Sequence, residues 1–98
     1  MKNFKELDPL LHSQLRLAII SVLVGVKEAD FSYLLDITHA TNGNLSVQIG
    51  KLKDAEYIEV KKSFENNYPK TTCKITRKGQ KAFEKYVEDI QHYLSPKK

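Results

Sequence analysis

The sequence has 98 residues, of which 41% are apolar and 29% are charged, so it is long enough for one compact domain and too short for two. This balance excludes a disordered chain, and the longest apolar stretch, residues 17–26, is too short to span a bilayer. The single cysteine excludes an internal disulfide framework. Together with an N-terminus that lacks a signal-peptide core, it predicts a cytoplasmic protein with no membrane partner.

The net charge of +4 is concentrated in the middle of the chain. Residues 44–81 contain nine basic and four acidic side chains, whereas residues 1–43 have one excess acid and residues 82–98 are neutral. A clustered basic segment attracts polyanions, and nucleic acid is the first candidate. On charge alone, a solvated basic surface without a partner explains the pattern equally well.

The first predicted helix begins at Asp8 and Pro9. Aspartate accepts hydrogen bonds from the free N–H groups of a first turn, and proline suits the first helical position. Gly25 is the predicted end, because glycine adopts a left-handed conformation without a Cβ clash. The second half is apolar nearly all round, which indicates a central, buried helix.

The next two predicted helices form a helix-turn-helix pattern. Phe31 is placed in a very short strand, and Ser32 is the predicted cap of the second helix, which ends near His39. Thr41 is the predicted cap of the third helix. Apolar residues spaced i, i+4 and i+7 give this helix one buried stripe, formed by Leu45, Ile49 and Leu52.

A β-hairpin is predicted next. Apolar and polar residues alternate over residues 57–64, residues 65–70 are typical of a turn, and residues 71–76 form the second strand with Cys73 and Ile75 facing inward. Lys62 falls in the apolar phase of the first strand, which suggests that this strand extends beyond the core. At a buried strand position, Cys73 is expected to be an inert, small apolar residue.

Thr76 is the predicted cap of a last helix at residues 77–94. Because this helix follows a complete sheet in a small domain, its apolar stripe is predicted to meet a second copy of the chain, with help from the first helix. Packing against the first helix of the same chain is the alternative. The residues predicted at this dimer interface are Leu11, Phe83, Tyr86, Val87, Ile90 and Leu94.

The order helix, short strand, helix, helix, β-hairpin, helix is that of the winged helix-turn-helix, an α+β fold that is mainly α. Seven segments carry a further likeness: LRLAII at residues 15–20, FSYL at 31–34, NGNLS at 42–46, KLKDA at 51–55, YIEV at 57–60, PKTT at 69–72 and ITRKG at 75–79. Through their order and spacing, the chain over residues 10–94 resembles the small single-domain winged-helix transcriptional regulators of the MarR and ArsR kind. His39 and Glu56 stand where this family commonly has glycine, so strained turns are expected there.

The resemblance implies that the third helix enters the major groove of DNA and that the hairpin is a wing along the adjacent minor groove or backbone. The residues predicted to contact DNA from the third helix are Thr41, Asn42, Asn44, Ser46, Val47, Gly50, Lys51 and Lys53. Those predicted in the wing are Lys61, Lys62, Asn66, Asn67, Lys70 and Thr72. The wing has no arginine, which disfavours a specific insertion into the minor groove. Arg16 is expected to have a structural role.

The predicted function is that of a sequence-specific regulator which binds double-stranded DNA, organised as one domain over residues 1–98 with a dimerisation helix at residues 77–94. A homodimeric repressor with a near-palindromic operator is expected. The alternatives are a winged-helix module that binds protein, and a regulator that senses a small-molecule effector at the dimer helices.

Catalytic and metal chemistry are not expected. The three histidines are far apart, and no pair of residues has metal-ligand spacing. The sequence contains no phosphate-binding or nucleophile motif of the common enzyme classes. We therefore expect a protein that is not an enzyme and has no metal or cofactor.

Overall fold

A computed structural model describes residues 4–95, so the first and last three residues of the predicted domain lie outside the described part. Four helices and three strands follow one another in the predicted order. They are α1 (Gln14–Val26), β1 (Glu28–Asp30), α2 (Phe31–Thr38), α3 (Asn42–Asp54), β2 (Ile58–Glu65), β3 (Tyr68–Ile75) and α4 (Arg77–Leu94). The winged-helix α+β prediction is confirmed. None of the described helices is long and apolar enough to cross a membrane.

The three strands form one antiparallel sheet in the order β1-β3-β2. A two-residue turn at Asn66 and Asn67, with φ of 53° and 67°, joins β2 to β3. Left-handed conformations at both central positions are typical of a type I′ turn, in which asparagine is favoured. The turn is therefore shorter than the predicted span of residues 65–70, and β3 begins at Tyr68 instead of at residue 71.

The core lies around α1, which packs against α2, α3, α4 and the sheet. The prediction of a central first helix is confirmed. The fully buried side chains come from the N-terminal segment, from α1 to α3 and from the two strands of the hairpin: Leu11, Ile19, Ile20, Leu23, Leu34, Leu45, Leu52, Ile58 and Cys73. Burial raises the pKa of the Cys73 thiol to about 11, so the thiolate that redox chemistry needs is suppressed at neutral pH.

The start of α1 differs from the prediction. Asp8 and Pro9 open only a single turn, in which the Asp8 carboxylate accepts from the Leu10 N–H at 2.9 Å, and the helix begins at Gln14. The second carboxylate oxygen of Asp8 accepts the Tyr57 hydroxyl at 2.5 Å. Burial, followed by this contact with Asp8, raises the pKa of Tyr57 to about 12. The aspartate is thus held by a distant residue and does not cap the helix.

Two other boundaries also differ from the prediction. α1 continues through Gly25 to Val26, and the residue with a positive φ is Lys27, with φ of 75°. The carbonyl of Lys27 accepts the Ile75 N–H at 3.0 Å, so pairing with β3 fixes this corner. The strand before α2 comprises residues 28–30, and the cap of α2 is Asp30, whose carboxylate accepts from the Tyr33 N–H at 2.8 Å.

The last helix packs extensively against its own chain. The N-terminal segment, residues 4–13, lies along it: Tyr93 donates to the Lys5 carbonyl at 2.7 Å, and the Tyr86 hydroxyl lies 3.0 Å from His12 Nδ1. Leu11 is fully buried and Tyr86 is 7% exposed in the single chain, so neither offers free surface to a partner. Phe83 and Ile90 are half-buried against the core. The exposed part of the stripe consists of Val87 and Leu94.

Candidate nucleic-acid interface

The turn between α2 and α3 presents the N-terminus of α3. His39 ends α2 in the left-handed region with φ of 56°, which glycine would adopt more easily. Thr41 caps α3, as predicted, by accepting the Asn44 N–H at 3.1 Å. Leu45, Ile49 and Leu52 are buried as predicted. The cap at Thr41 and the buried stripe together determine which face of α3 is directed outward.

The outward face of α3 is mostly polar. Val47, at 54% exposed, lies near its centre because it is about 200° around the helix from Leu45. Most of the α3 side chains predicted to contact DNA are exposed, and Gly50 is half-buried. The exposed residues are Thr41, Asn42, Asn44, Ser46, Val47, Lys51 and Lys53. The structure therefore presents this predicted set on the accessible part of the helix and its cap.

One edge of this face is tied to α1 by hydrogen bonds. Arg16 donates through Nε to the Leu10 carbonyl at 2.6 Å and through a second nitrogen to the Gln48 side chain. Gln48 donates in turn to the Asn44 amide oxygen at 3.0 Å. Arg16 thus has the structural contacts that were expected. The same bonds hold the side chain of Asn44 in place and leave its NH₂ group available as a donor.

The hairpin divides the predicted wing residues between its two faces. Strand register pairs Lys62 with Thr71, and Lys61 with Thr72. Since alternate residues point to opposite faces, Lys62 lies on the same face as the core residue Val60, whereas Lys61, Lys70 and Thr72 lie on the other. Asn66 and Asn67 form the tip. The predicted wing set is thus not brought together on one surface.

An open groove of about 410 Å³ separates α3 from the hairpin. It is bordered on the helix side by Ser46, Gly50 and Lys53, and on the hairpin side by Val60, Lys62 and Thr71. Thr71 is missing from the predicted set. Thr71 alternates along β3 with Cys73 and Ile75, which were predicted to face inward. The sequence therefore contained the signal that Thr71 lies on the same face of the hairpin.

The lysines beside the groove have no ion-pair partner in the part of the chain that the structure describes. Within residues 4–95, the ion pairs with N···O distances up to 4.0 Å involve Lys70, Lys78 and Lys85, so Lys53 and Lys62 have no such pair there. Lys70 donates to Glu65 at 3.0 Å, and this contact raises the pKa of Lys70. The positive charge of Lys70 is thereby partly offset by the carboxylate of Glu65. The hairpin lysines without an ion pair in the described residues are Lys61, Lys62 and Lys74, and of these Lys62 borders the groove.

The described residues contain no cluster of three or more histidine, cysteine, aspartate or glutamate side chains that could hold a metal ion. The groove between α3 and the hairpin is lined by Gly50 and by the apolar side chains of Phe31, Ile49 and Val60, together with hydroxyl and ammonium groups. Such groups bind phosphates and base edges, so the arrangement is suited to a polyanionic partner.

Comparisons with known proteins point the same way. Residues 15–94 match a family model described as a winged helix DNA-binding domain. An uncharacterised protein from Methanocaldococcus jannaschii is 36% identical over 81 residues, which cover 83% of this chain and 88% of that protein. The structure of a transcriptional regulator homologue from Pyrococcus horikoshii OT3 is similar, with a TM-score of 0.81, 24% identity and coverage of 87% of this chain and 84% of that one.

The fold is also that of MarR. The crystal structure of MarR matches with a TM-score of 0.64 and 17% identity, over 88% of this chain and 66% of that chain. These likenesses confirm the resemblance found in the sequence.

Proposed function

Because the chain belongs to the family of winged helix DNA-binding domains, we propose that it is a dimeric, sequence-specific transcriptional regulator that represses by occupying promoter DNA. One observation carries the proposal: the capped, polar face of α3 borders a groove whose lysines, Lys53 and Lys62, have no carboxylate partner within the described residues. A duplex would supply the phosphates that these side chains lack.

In the proposed complex α3 lies in the major groove. Its N-terminal residues Asn42, Asn44 and Ser46 contact base edges, because amide and hydroxyl groups both donate and accept hydrogen bonds. Lys53 and Lys62 contact phosphates from the two sides of the groove. Phosphate contacts supply affinity and register, and base contacts supply specificity.

Dimerisation is proposed through α4. Leu94 is 77% exposed and Val87 is 37% exposed, and both belong to the apolar stripe of that helix. A two-fold dimer doubles the number of base and phosphate contacts. Half-sites about one helical turn apart, on a near-palindromic sequence, are then expected.

The dimer is tested by replacing one exposed apolar residue. Leu94→Lys is expected to convert the dimer to a monomer in light scattering, because it places an ammonium group in an apolar contact. The fold should be unaffected, since a cation is favourable near a helix C-terminus. Glu88→Lys, at an exposed position away from the stripe, is the control and should leave the mass unchanged. A wild-type chain that is monomeric at high concentration would contradict the proposal.

Sequence-specific binding is tested by selection from a random duplex pool at near-physiological salt. Enrichment of an inverted repeat would support both the binding and the two-fold symmetry. Enrichment of one short half-site would count against the dimer. No enrichment would count against specific DNA binding and would favour the alternative, a module that binds protein.

The position of the hairpin is tested by the salt dependence of DNA affinity. Lys62→Ala is expected to weaken binding to all duplexes alike and to lower the slope of log K against log salt by about one unit, because one phosphate contact is lost. Lys81→Ala, an exposed lysine on α4, should leave that slope unchanged. An unchanged slope for Lys62→Ala would show that this part of the hairpin does not contact the phosphate backbone of the DNA.

A further inference from the structure

The hairpin carries an exposed aromatic side chain near its tip. Phe64 is 78% exposed and precedes the Asn66–Asn67 turn by two residues. It lies six residues beyond the buried Ile58, a distance of about 20 Å along a strand. The ring therefore belongs neither to the core nor to the partly buried side chains packed against it.

The register directs this ring toward the α3 side of the hairpin. Phe64 pairs with Pro69 and shares its sheet face with Val60 and Lys62, which border the groove against α3. Tyr68 is almost equally exposed, at 75%, but pairs with Glu65 on the opposite face. A duplex held against α3 would meet Phe64 and not Tyr68.

The charge around Phe64 indicates the chemistry of its partner. Lys61 and Lys62 lie on the same strand without a carboxylate within 4.0 Å in the described part of the chain, and Glu65 is paired with Lys70 at 3.0 Å. An apolar ring beside unpaired cations is complementary to DNA, which offers phosphates at its surface and apolar base faces between its steps. An apolar wedge between base steps unstacks and kinks the duplex.

We propose that Phe64 is such a wedge: it enters the minor groove next to the α3 site, partly unstacks one base step and bends the duplex. This inference rests on the proposed DNA-binding function. It also differs from the expectation drawn from the absence of a wing arginine, because insertion of an apolar ring does not require a cation at the inserted position.

The test compares Phe64→Ala, Phe64→Leu and Tyr68→Ala on a duplex of about 30 base pairs that is rich in flexible TA steps. Donor and acceptor dyes at the two ends report bending as energy transfer. The wild-type protein should raise the energy transfer. Phe64→Ala should abolish that rise and weaken binding about tenfold, with an unchanged salt slope because no charge is removed. Phe64→Leu should retain most of the bend, and Tyr68→Ala should behave as wild type.

Three results would overturn the wedge. If Phe64→Ala binds and bends the duplex as wild type does, the ring is not inserted, although the proposed DNA-binding function stands. If Phe64→Ala instead changes the mass of the free protein in light scattering, the ring belongs to a protein interface. If the wild-type chain binds no duplex even at low salt, the DNA-binding function and the wedge both fail.

Discussion

Gly79→Ala is expected to destabilise the fold by about 3 kcal/mol, at the upper end of the cost of overpacking. Gly79 is buried in the first turn of α4, and a Cβ atom there would lie 2.1 Å from the Tyr57 carbonyl oxygen and 2.9 Å from its carbonyl carbon. Both distances are far below van der Waals contact. The clash involves backbone atoms, which cannot rotate away as a side chain can.

The obstructing carbonyl is also held in place. The Tyr57 oxygen accepts the Thr76 N–H at 3.1 Å, and the Thr76 hydroxyl accepts the Gly79 N–H at 3.0 Å. Relief of the clash would therefore separate the cap of α4 from the corner that leads into β2. The helix would lose part of the packing that buries Tyr86.

Urea denaturation at neutral pH measures this effect, with a matched glycine as control. Gly25 lies in α1, and nothing lies within 4 Å of a Cβ atom added to it, so Gly25→Ala should stabilise the chain by up to about 1 kcal/mol through helix propensity. For a domain of this size, the expected loss in Gly79→Ala corresponds to a fall in Tm of roughly 12–24 °C. Equal stability of Gly79→Ala and wild type would contradict the close approach of α4 to Tyr57.

Helix caps that act locally could be predicted from the sequence. Thr41 and Thr76 each accept an N–H three residues ahead, an interaction that depends only on adjacent residues. Asp8 has the same chemistry, but its carboxylate accepts the hydroxyl of Tyr57, 49 residues away. The predicted start of α1 at Asp8 is wrong, since the helix begins at Gln14. A contact between residues that far apart leaves no signal in the neighbouring sequence, so it could not be predicted.

Strand parity explains which part of the interface could be predicted. The alternation that places Cys73 and Ile75 inward also places Thr71 and Lys62 on the α3 side, whereas the predicted wing set included Lys70 and Thr72 from the other face. The length of the hairpin was obscured by the polar run at residues 65–70. Only the left-handed pair Asn66 and Asn67 forms the turn, and both strands extend to it.

The sequence alone could not show which part of the apolar stripe of α4 is buried within the chain and which part is exposed. Its apolar stripe has one periodicity, yet Tyr86 is buried by the chain's own N-terminal segment and core while Leu94 is 77% exposed. The segment that covers Tyr86 includes residue 12, 74 positions earlier. Periodicity identifies the apolar face of a helix, but it does not identify what covers that face.

Gly50→Glu is expected to reduce duplex affinity about 100-fold, or about 2.7 kcal/mol, while the fold becomes more stable. Gly50 borders the groove with Lys53 and Lys62, and nothing lies within 4 Å of a Cβ added there. Glutamate is a better helix former than glycine, so the free energy of unfolding should rise. Its carboxylate would repel the incoming phosphates and partly neutralise the two lysines.

Two control variants separate the causes of this loss. Gly50→Ala adds only a methyl group, so a smaller loss of affinity would measure how closely the duplex approaches the helix. Ser21→Glu adds the same charge at an exposed position on α1 and should leave affinity nearly unchanged at physiological salt, where screening is strong beyond about 8 Å. If Gly50→Glu binds the selected duplex as wild type does, α3 does not face the DNA. A gain in stability without a loss of binding would therefore remove the groove from the proposed interface.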